Sequence, residues 1–271
     1  MRDIILAKLT DIEKEKNVQI LFAVESGSRA WGFPSQDSDY DVRFVYIQKP
    51  EWYLSIERKR DVIEYPINDL LDINGWDICK ALGLLRKYNP ALMEWLDSPI
   101  VYREGYKIRE RMRDVRAAYF ARRTSIHHYL SMAASNYRSY LRGERVKSKK
   151  YFYVLRPLFA CMWLERENSH PPISFLTLME THLKDQPQLK EQVEALLARK
   201  IAGDELTVEP RIDSLNSYIE ERLSYLEEYA KGLPADNFCE TERLNIFFRS
   251  LLQEVWEFYP KGDKQCRTLK R

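Results

Sequence analysis

Residues 39–47, DYDVRFVYI, alternate in a way that only an extended strand puts to use. Side chains on a strand point to opposite faces with period two. Asp39, Asp41 and Arg43 therefore share one face, and Tyr40, Val42, Phe44 and Tyr46 share the other. The apolar set can pack on a core while two carboxylates project together from the opposite side. Carboxylates held that close repel each other unless a cation lies between them. One or two carboxylates, completed by the phosphates of a substrate, are the usual way a protein holds Mg²⁺.

The residues upstream supply the other half of such a site. Val18 to Val24 (VQILFAV) is a continuous apolar run rich in branched residues, which reads as a buried strand. Gly27 and Ser28 follow at once, then SRAWG, a turn or short helix, and a loop through Phe33–Ser38 back to the aspartates. A strand that ends in glycine and enters a helix lets backbone N–H groups approach a phosphate closely. Ser28 adds a hydroxyl and Arg29 a cation. In outline this is a site for phosphoryl or nucleotidyl transfer.

The rest of the chain divides in two. Residues 3–16 place Ile5, Leu9 and Ile12 on one helical face, closed by Asn17. Trp52–Ile56 predicts a short helix, and Val62–Ile67 a strand with Pro66 near its end. Leu70–Ile73 predicts a second short strand, followed by an Asn74-Gly75 turn. Asp77 sits at the N-cap of the helix ICKALGLLRKY, and Asn89-Pro90 breaks that helix before ALMEWL begins another. Beyond about residue 104 the pattern is helical: roughly 104–116, 117–142, 147–168, 175–183, 188–202, 213–231 and 240–258. Pro157 is expected to kink the third of these after Arg156. The fold class is α+β: a small mixed sheet with flanking helices over residues 1–104, then an all-α domain over 105–271.

Composition excludes several classes. With 45% hydrophobic and 31% charged residues in 271, the chain has an ordinary globular make-up. No apolar run reaches 18 residues, so no membrane helix is expected, and the charged start MRDIILAKLTDIEKEK has no signal core. Cys79, Cys161, Cys239 and Cys266 form no C-x-x-C pair, and His127, His128, His170 and His182 no H-E-x-x-H pattern. That argues against zinc and for a reducing, cytoplasmic setting. Adjacent on a helix, His127 and His128 point in different directions and cannot share a metal. Residues 103–150 carry fourteen Lys/Arg against four Asp/Glu, a net +10 in a chain whose total is +2. This is either a polyanion-binding face or a solvated helix surface.

The Gly-Ser pair, the D-x-D strand about a dozen residues on, and a further strand carboxylate resemble the DNA polymerase β-like nucleotidyltransferase superfamily. Within it, the strings SGSRAWGF, DSDYDVRF, LDINGWD, NPALMEWL and KKYFYVLRP resemble the YcgL-type nucleotidyltransferases, some of them associated with RNA-repair enzymes. The resemblance implies a Mg²⁺- (or Mn²⁺-) dependent transfer of NMP from an NTP to an acceptor hydroxyl. The acceptor would be an RNA or DNA end, or alternatively a protein or small molecule; a non-catalytic nucleotide-binding module is a further alternative. By the same resemblance, Gly27 and Ser28 would hold the triphosphate and Asp39 and Asp41 two metal ions. A third carboxylate from a neighbouring strand would be Asp72, with Glu64 and Asp77 as rivals. The helical part would close the cleft, with Lys150 neutralising phosphate charge and Tyr151 either stacking on the base or packing between helices. Glu94 reads as a residue that orients a neighbouring loop or forms an ion pair and does not catalyse, and Trp31 and Trp76 as packing beneath the site.

Overall fold

Ile5, Leu9 and Ile12 recur at helical spacing on α1 (Arg2–Lys16) and are fully buried. Each such side chain is worth about 1.5–3 kcal/mol on burial. Asn17 stops the helix in the left-handed region, its N–H returning to Glu13 O. The computed structural model describes residues 1–65, 70–203, 208–236 and 240–257. After α1 come β1 (Gln19–Glu25), α2 (Gly27–Trp31), β2 (Tyr40–Ile47), the single turn α3 (Pro50–Tyr53), β3 (Val62–Glu64) and β4 (Leu71–Asp77). Two helices, α4 (Ile78–Arg86) and α5 (Pro90–Asp97), then lead to β5 (Val101–Glu104). The five strands form one sheet in the order β3-β4-β2-β1-β5. Only β2 and β4 run parallel.

The remainder is helical: α6 (Ile108–Arg116), α7 (Arg122–Tyr140), α8 (Lys150–Glu167), α9 (Phe175–His182), α10 (Pro187–Ile201), α11 (Asp213–Lys231) and α12 (Glu242–Trp256). These answer to the seven helical patterns of the sequence. One feature departs from them: β6 (Arg145–Lys147) pairs antiparallel with β7 (Val208–Pro210) in a two-stranded ribbon.

Three apolar clusters organise the packing. Val42, Phe44, Tyr46 and Ile73 face α1 on one side of the sheet. Leu21, Phe22, Val45 and Ile47 meet α4, α5 and α6 on the other, and Leu244, Leu251 and Leu252 of α12 complete that layer. A bulge at Leu21, between the Ile20–Tyr46 and Phe22–Val45 pairs, turns both Leu21 and Phe22 to this second face. The third cluster lies among α7, α8, α9, α10 and α11, and Phe33 of the loop after α2 reaches into it.

Two expectations are corrected. Asn74-Gly75 is not a turn, because β4 runs straight through it to Asp77. Glycine is required there for a packing reason: a β-carbon on Gly75 would fall 2.2 Å from the Phe44 ring on the neighbouring strand. The strand signal at Val62–Ile67 shortens to β3, and residues 66 and 67 lie outside the described residues. Helix α8 continues past Pro157, which has no N–H to offer the carbonyl four residues earlier. That carbonyl, Tyr153 O, is taken instead by Asn136 Nδ2 of α7 at 3.2 Å.

Candidate active site

Gly27 opens α2 with φ +60°, and its α-carbon lies against Asp41: a β-carbon there would come 2.2 Å from Asp41 Oδ2. Behind this contact Glu25, the last residue of β1, is fully buried. Its carboxylate accepts the Asp41 N–H at 2.7 Å and the Tyr102 hydroxyl, while the Ser26 N–H donates to Asp41 O at 2.8 Å. The Ser98 hydroxyl donates to Glu25 O at 2.6 Å. Burial pushes the Glu25 carboxyl above its ordinary range, against the hydrogen bonds from Tyr102 and Asp41. The aspartate strand and the glycine turn are thus locked at their junction from three directions.

Asp39 and Asp41 line one wall of a cleft of about 520 Å³. Ser28, Trp31 and Phe33 belong to the same wall. Lys149, Phe152 and Tyr153 come from the start of α8, and Lys200 and Gly203 from the end of α10. The cleft therefore sets carboxylates against two lysines brought in from residues more than a hundred positions away. Lys200 is nearly buried and stands 5.4 Å from the centre of the Phe33 ring.

The parallel pairing of β2 and β4 puts Asp72 directly beside Asp41. Between them lies Arg43: its Nη2 donates to Asp41 Oδ1 at 3.0 Å and to Asp72 Oδ2 at 2.7 Å, and its Nη1 to Asp72 O at 3.0 Å. Burial raises the Asp41 carboxyl above its ordinary value. Arg43 opposes that shift, and the neighbouring Asp72 and Asp39 add to it. Asp72 does not line the cleft. Among the described residues no three His, Cys, Asp or Glu side chains converge to hold a metal unaided. Asp37, Asp39 and Asp41 all line the cleft; Asp39 and Asp41 stand at the start of β2, and burial above all, with Asp72 and Asp39 adding to it, disfavours ionisation of Asp41. Two carboxylates plus substrate phosphates are what Mg²⁺ requires, so these residues fit the ion. A third ligand from Asp72 needs Arg43 to leave it.

Other expected residues have different occupations. Arg29 clamps the loop that carries Asp39, donating from Nη2 to Ser38 O at 2.7 Å and from Nε to Asp39 O at 3.1 Å. Its guanidinium lies 3.7 Å from the centre of the Tyr40 ring. Ser28 Oγ donates to Ser38 Oγ at 3.3 Å. Lys150 rests on the faces of Tyr140 and Tyr153, at 4.0 and 4.7 Å, and does not line the cleft. Burial, with Lys149 and Lys147 close by, lowers its pKa. Tyr151 is 1% exposed, its hydroxyl donating to Asn216 Oδ1 and accepting from Ile212 N, both at 2.8 Å. It packs between helices; its helical neighbours Phe152 and Tyr153 face the cleft instead. Of the rival carboxylates, Asp77 caps α4 through the Cys79 N–H at 2.8 Å and accepts the Tyr53 hydroxyl at 2.8 Å. Glu64 is exposed on the edge strand, paired with Arg60.

Glu94 is an ion-pair residue, as its sequence context suggests. It receives Arg156 Nη1 at 2.7 Å, the Tyr129 hydroxyl at 3.2 Å and Trp31 Nε1 at 3.2 Å, joining α5 to α8, α7 and α2. Trp76 stacks on Trp95 with centroids 3.7 Å apart. Glu25, Arg43 and Lys200 are the contributions that sequence reasoning missed. A carboxylate closing an apolar strand beside glycine is a usable signal for Glu25. For Lys200 no local signal exists.

Comparison with known proteins matches this chain, over residues 1–250, to a family described as "RNA repair pathway DNA polymerase beta family". It is 50% identical over 257 residues to a protein of Bacillus subtilis (strain 168) described as "Uncharacterized protein YcgL", covering 95% of this chain and 98% of that one. Among solved structures it is similar to a nucleotidyltransferase-like protein from Exiguobacterium sibiricum 255-15. That likeness stands at 17% identity and a TM-score of 0.31, over 84% of this chain and 74% of the other. No helix among the described residues is long and apolar enough to cross a membrane.

Proposed function

This chain belongs to the RNA repair pathway DNA polymerase beta family, and from that membership we propose that it transfers NMP from an NTP to an acceptor hydroxyl, releasing pyrophosphate. The observation that carries the reading is the contact of Gly27 with Asp41. It places the carboxylate pair and the Gly27-Ser28 turn on one wall of a cleft that Lys149 and Lys200 face. Asp39 and Asp41 would hold Mg²⁺ or Mn²⁺, one ion or two. Bound there, the metal supplies charge neutralisation for the triphosphate and alignment of the acceptor oxygen.

The chain's own groups do the rest. The first turn of α2 has N–H groups without intrahelical partners, which suit a phosphate oxygen. Lys149 and Lys200 oppose the triphosphate charge across the cleft, and Glu25 fixes the backbone of Asp41 so that its carboxylate is already in place. Preorganised charge of this kind costs no rearrangement at the moment of transfer. Asp72 is the third carboxylate of the proposal, available once Arg43 exchanges it for a phosphate or for solvent.

The acceptor we favour is a nucleic-acid end, since the net +10 of residues 103–150 includes Lys149, which lines the cleft. Incubation with each labelled NTP, Mg²⁺ or Mn²⁺, and a panel of RNA, DNA, protein and small-molecule acceptors tests the reading. Labelled nucleic acid, lost in the Asp39→Asn/Asp41→Asn double variant that still folds, is the expected result. Retained transfer in that variant refutes the assignment. Label on protein alone moves the acceptor and keeps the chemistry.

A further inference from the structure

Behind Trp31 lies a second, smaller cavity of about 210 Å³ that shares Trp31 and Tyr153 with the cleft. We propose that it receives the nucleobase of the donor NTP, an inference that rests on the function proposed above. Its size suits one heterocycle and not a whole nucleotide, being below the range of about 300–1,000 Å³ usual for drug-sized ligands. The wall is largely apolar and aromatic, with Trp31, Tyr129, Tyr153 and Met132 contributing. Flat aromatic surfaces stack on any base.

The polar groups at the wall decide what kind of heterocycle fits. Glu94 and Arg156 neutralise one another at 2.7 Å, so the cavity carries no net charge and selects against a phosphate or an amine. Arg156 is 3% exposed, yet its Nε has no hydrogen-bond partner. Asn136 is held at the wall because its amide nitrogen serves the carbonyl that Pro157 leaves open, and its oxygen takes no part in that bond. Half-buried His128 has its pKa lowered by burial, which keeps the imidazole neutral with one donor and one acceptor. A ring whose edge carries both donors and acceptors meets the Asn136 amide and the neutral His128 imidazole at this wall. With Trp31 and Tyr153 lining both spaces, base and triphosphate would lie on the two sides of that pair.

Ala91 lines this cavity and not the cleft, so Ala91→Phe fills the proposed base site alone. Met132, at the rim and 41% exposed, gives a second blocking variant, Met132→Trp, at little risk to folding. Calorimetric titration of wild type and both variants with the four NTPs and with inorganic tripolyphosphate, all with Mg²⁺, separates the outcomes. The expected result is NTP binding weakened at least tenfold with tripolyphosphate binding unchanged. Unchanged NTP binding in either folded variant overturns the base site and leaves the proposed function standing. Equal loss of NTP and tripolyphosphate would place phosphate in the cavity and likewise overturn it. Wild type that binds neither ligand overturns the function proposed for the cleft, and the base site with it.

Discussion

At Gly27 a single hydrogen separates the turn from the Asp41 carboxylate. Gly27→Ala adds a β-carbon 2.2 Å from Asp41 Oδ2 at a φ of +60° that L-residues rarely adopt. The expected cost is about 1–3 kcal/mol of stability. Displacement of the carboxylate should lower transfer about a hundredfold, read as a larger fall in rate than in melting temperature would suggest. Asp77 poses a different question. Burial lifts its carboxyl from the ordinary 3.8 to about 6, so the folded chain holds that proton more tightly than the unfolded one. Its ionisation therefore opposes folding: stability is greatest below about pH 4 and declines as pH rises through about 6. Asp77→Asn keeps an oxygen for the Cys79 N–H and removes the charge. Thermal melts should show the variant gaining on wild type between about pH 4 and 6, by up to roughly 3 kcal/mol; parallel curves would mean that Asp77 is not held protonated by its burial. Residue types near the site were legible because the chemistry restricts them. The work given to Arg29, Arg43 and Tyr151 was not, because one side chain can face either a ligand or its own fold.

Among the elements, α5 matters through one side chain. Glu94 gathers Trp31, Tyr129 and Arg156, so α2 and α8 meet over a shared carboxylate. Glu94→Gln leaves the Arg156 guanidinium buried without its counter-charge, and a loss on the order of 3 kcal/mol in denaturant melts is expected. A loss below about 1 kcal/mol would mean that the pair behaves as a surface one. The long helices could be read from apolar spacing, since three or more turns repeat the signal. β5, four residues long, repeats it too few times. The ribbon of β6 and β7 joins segments about sixty residues apart, and three-residue strands carry no period of their own.

Over the whole molecule, we propose that residues 1–104 and 105–271 act as two halves around the cleft. They are nonetheless tied together, because α12 lies on α4 and closes the second face of the sheet. Leu251→Ala should therefore cost about 2–5 kcal/mol. It should also speed amide hydrogen exchange in α4 while leaving α9 and α10 protected; uniform protection loss would show a single cooperative unit. Taken alone, the sequence determined the mixed sheet followed by helices, the Gly27-Ser28 turn, and the pair Asp39 and Asp41, because periodicity and residue chemistry are local properties. The tertiary structure alone decided that Arg43 lies between Asp41 and Asp72, that Glu25 buttresses the turn, and that Lys149 and Lys200 line the same cleft as the aspartates. Those pairings depend on the approach of segments far apart in the chain, and no local pattern encodes a distance between them.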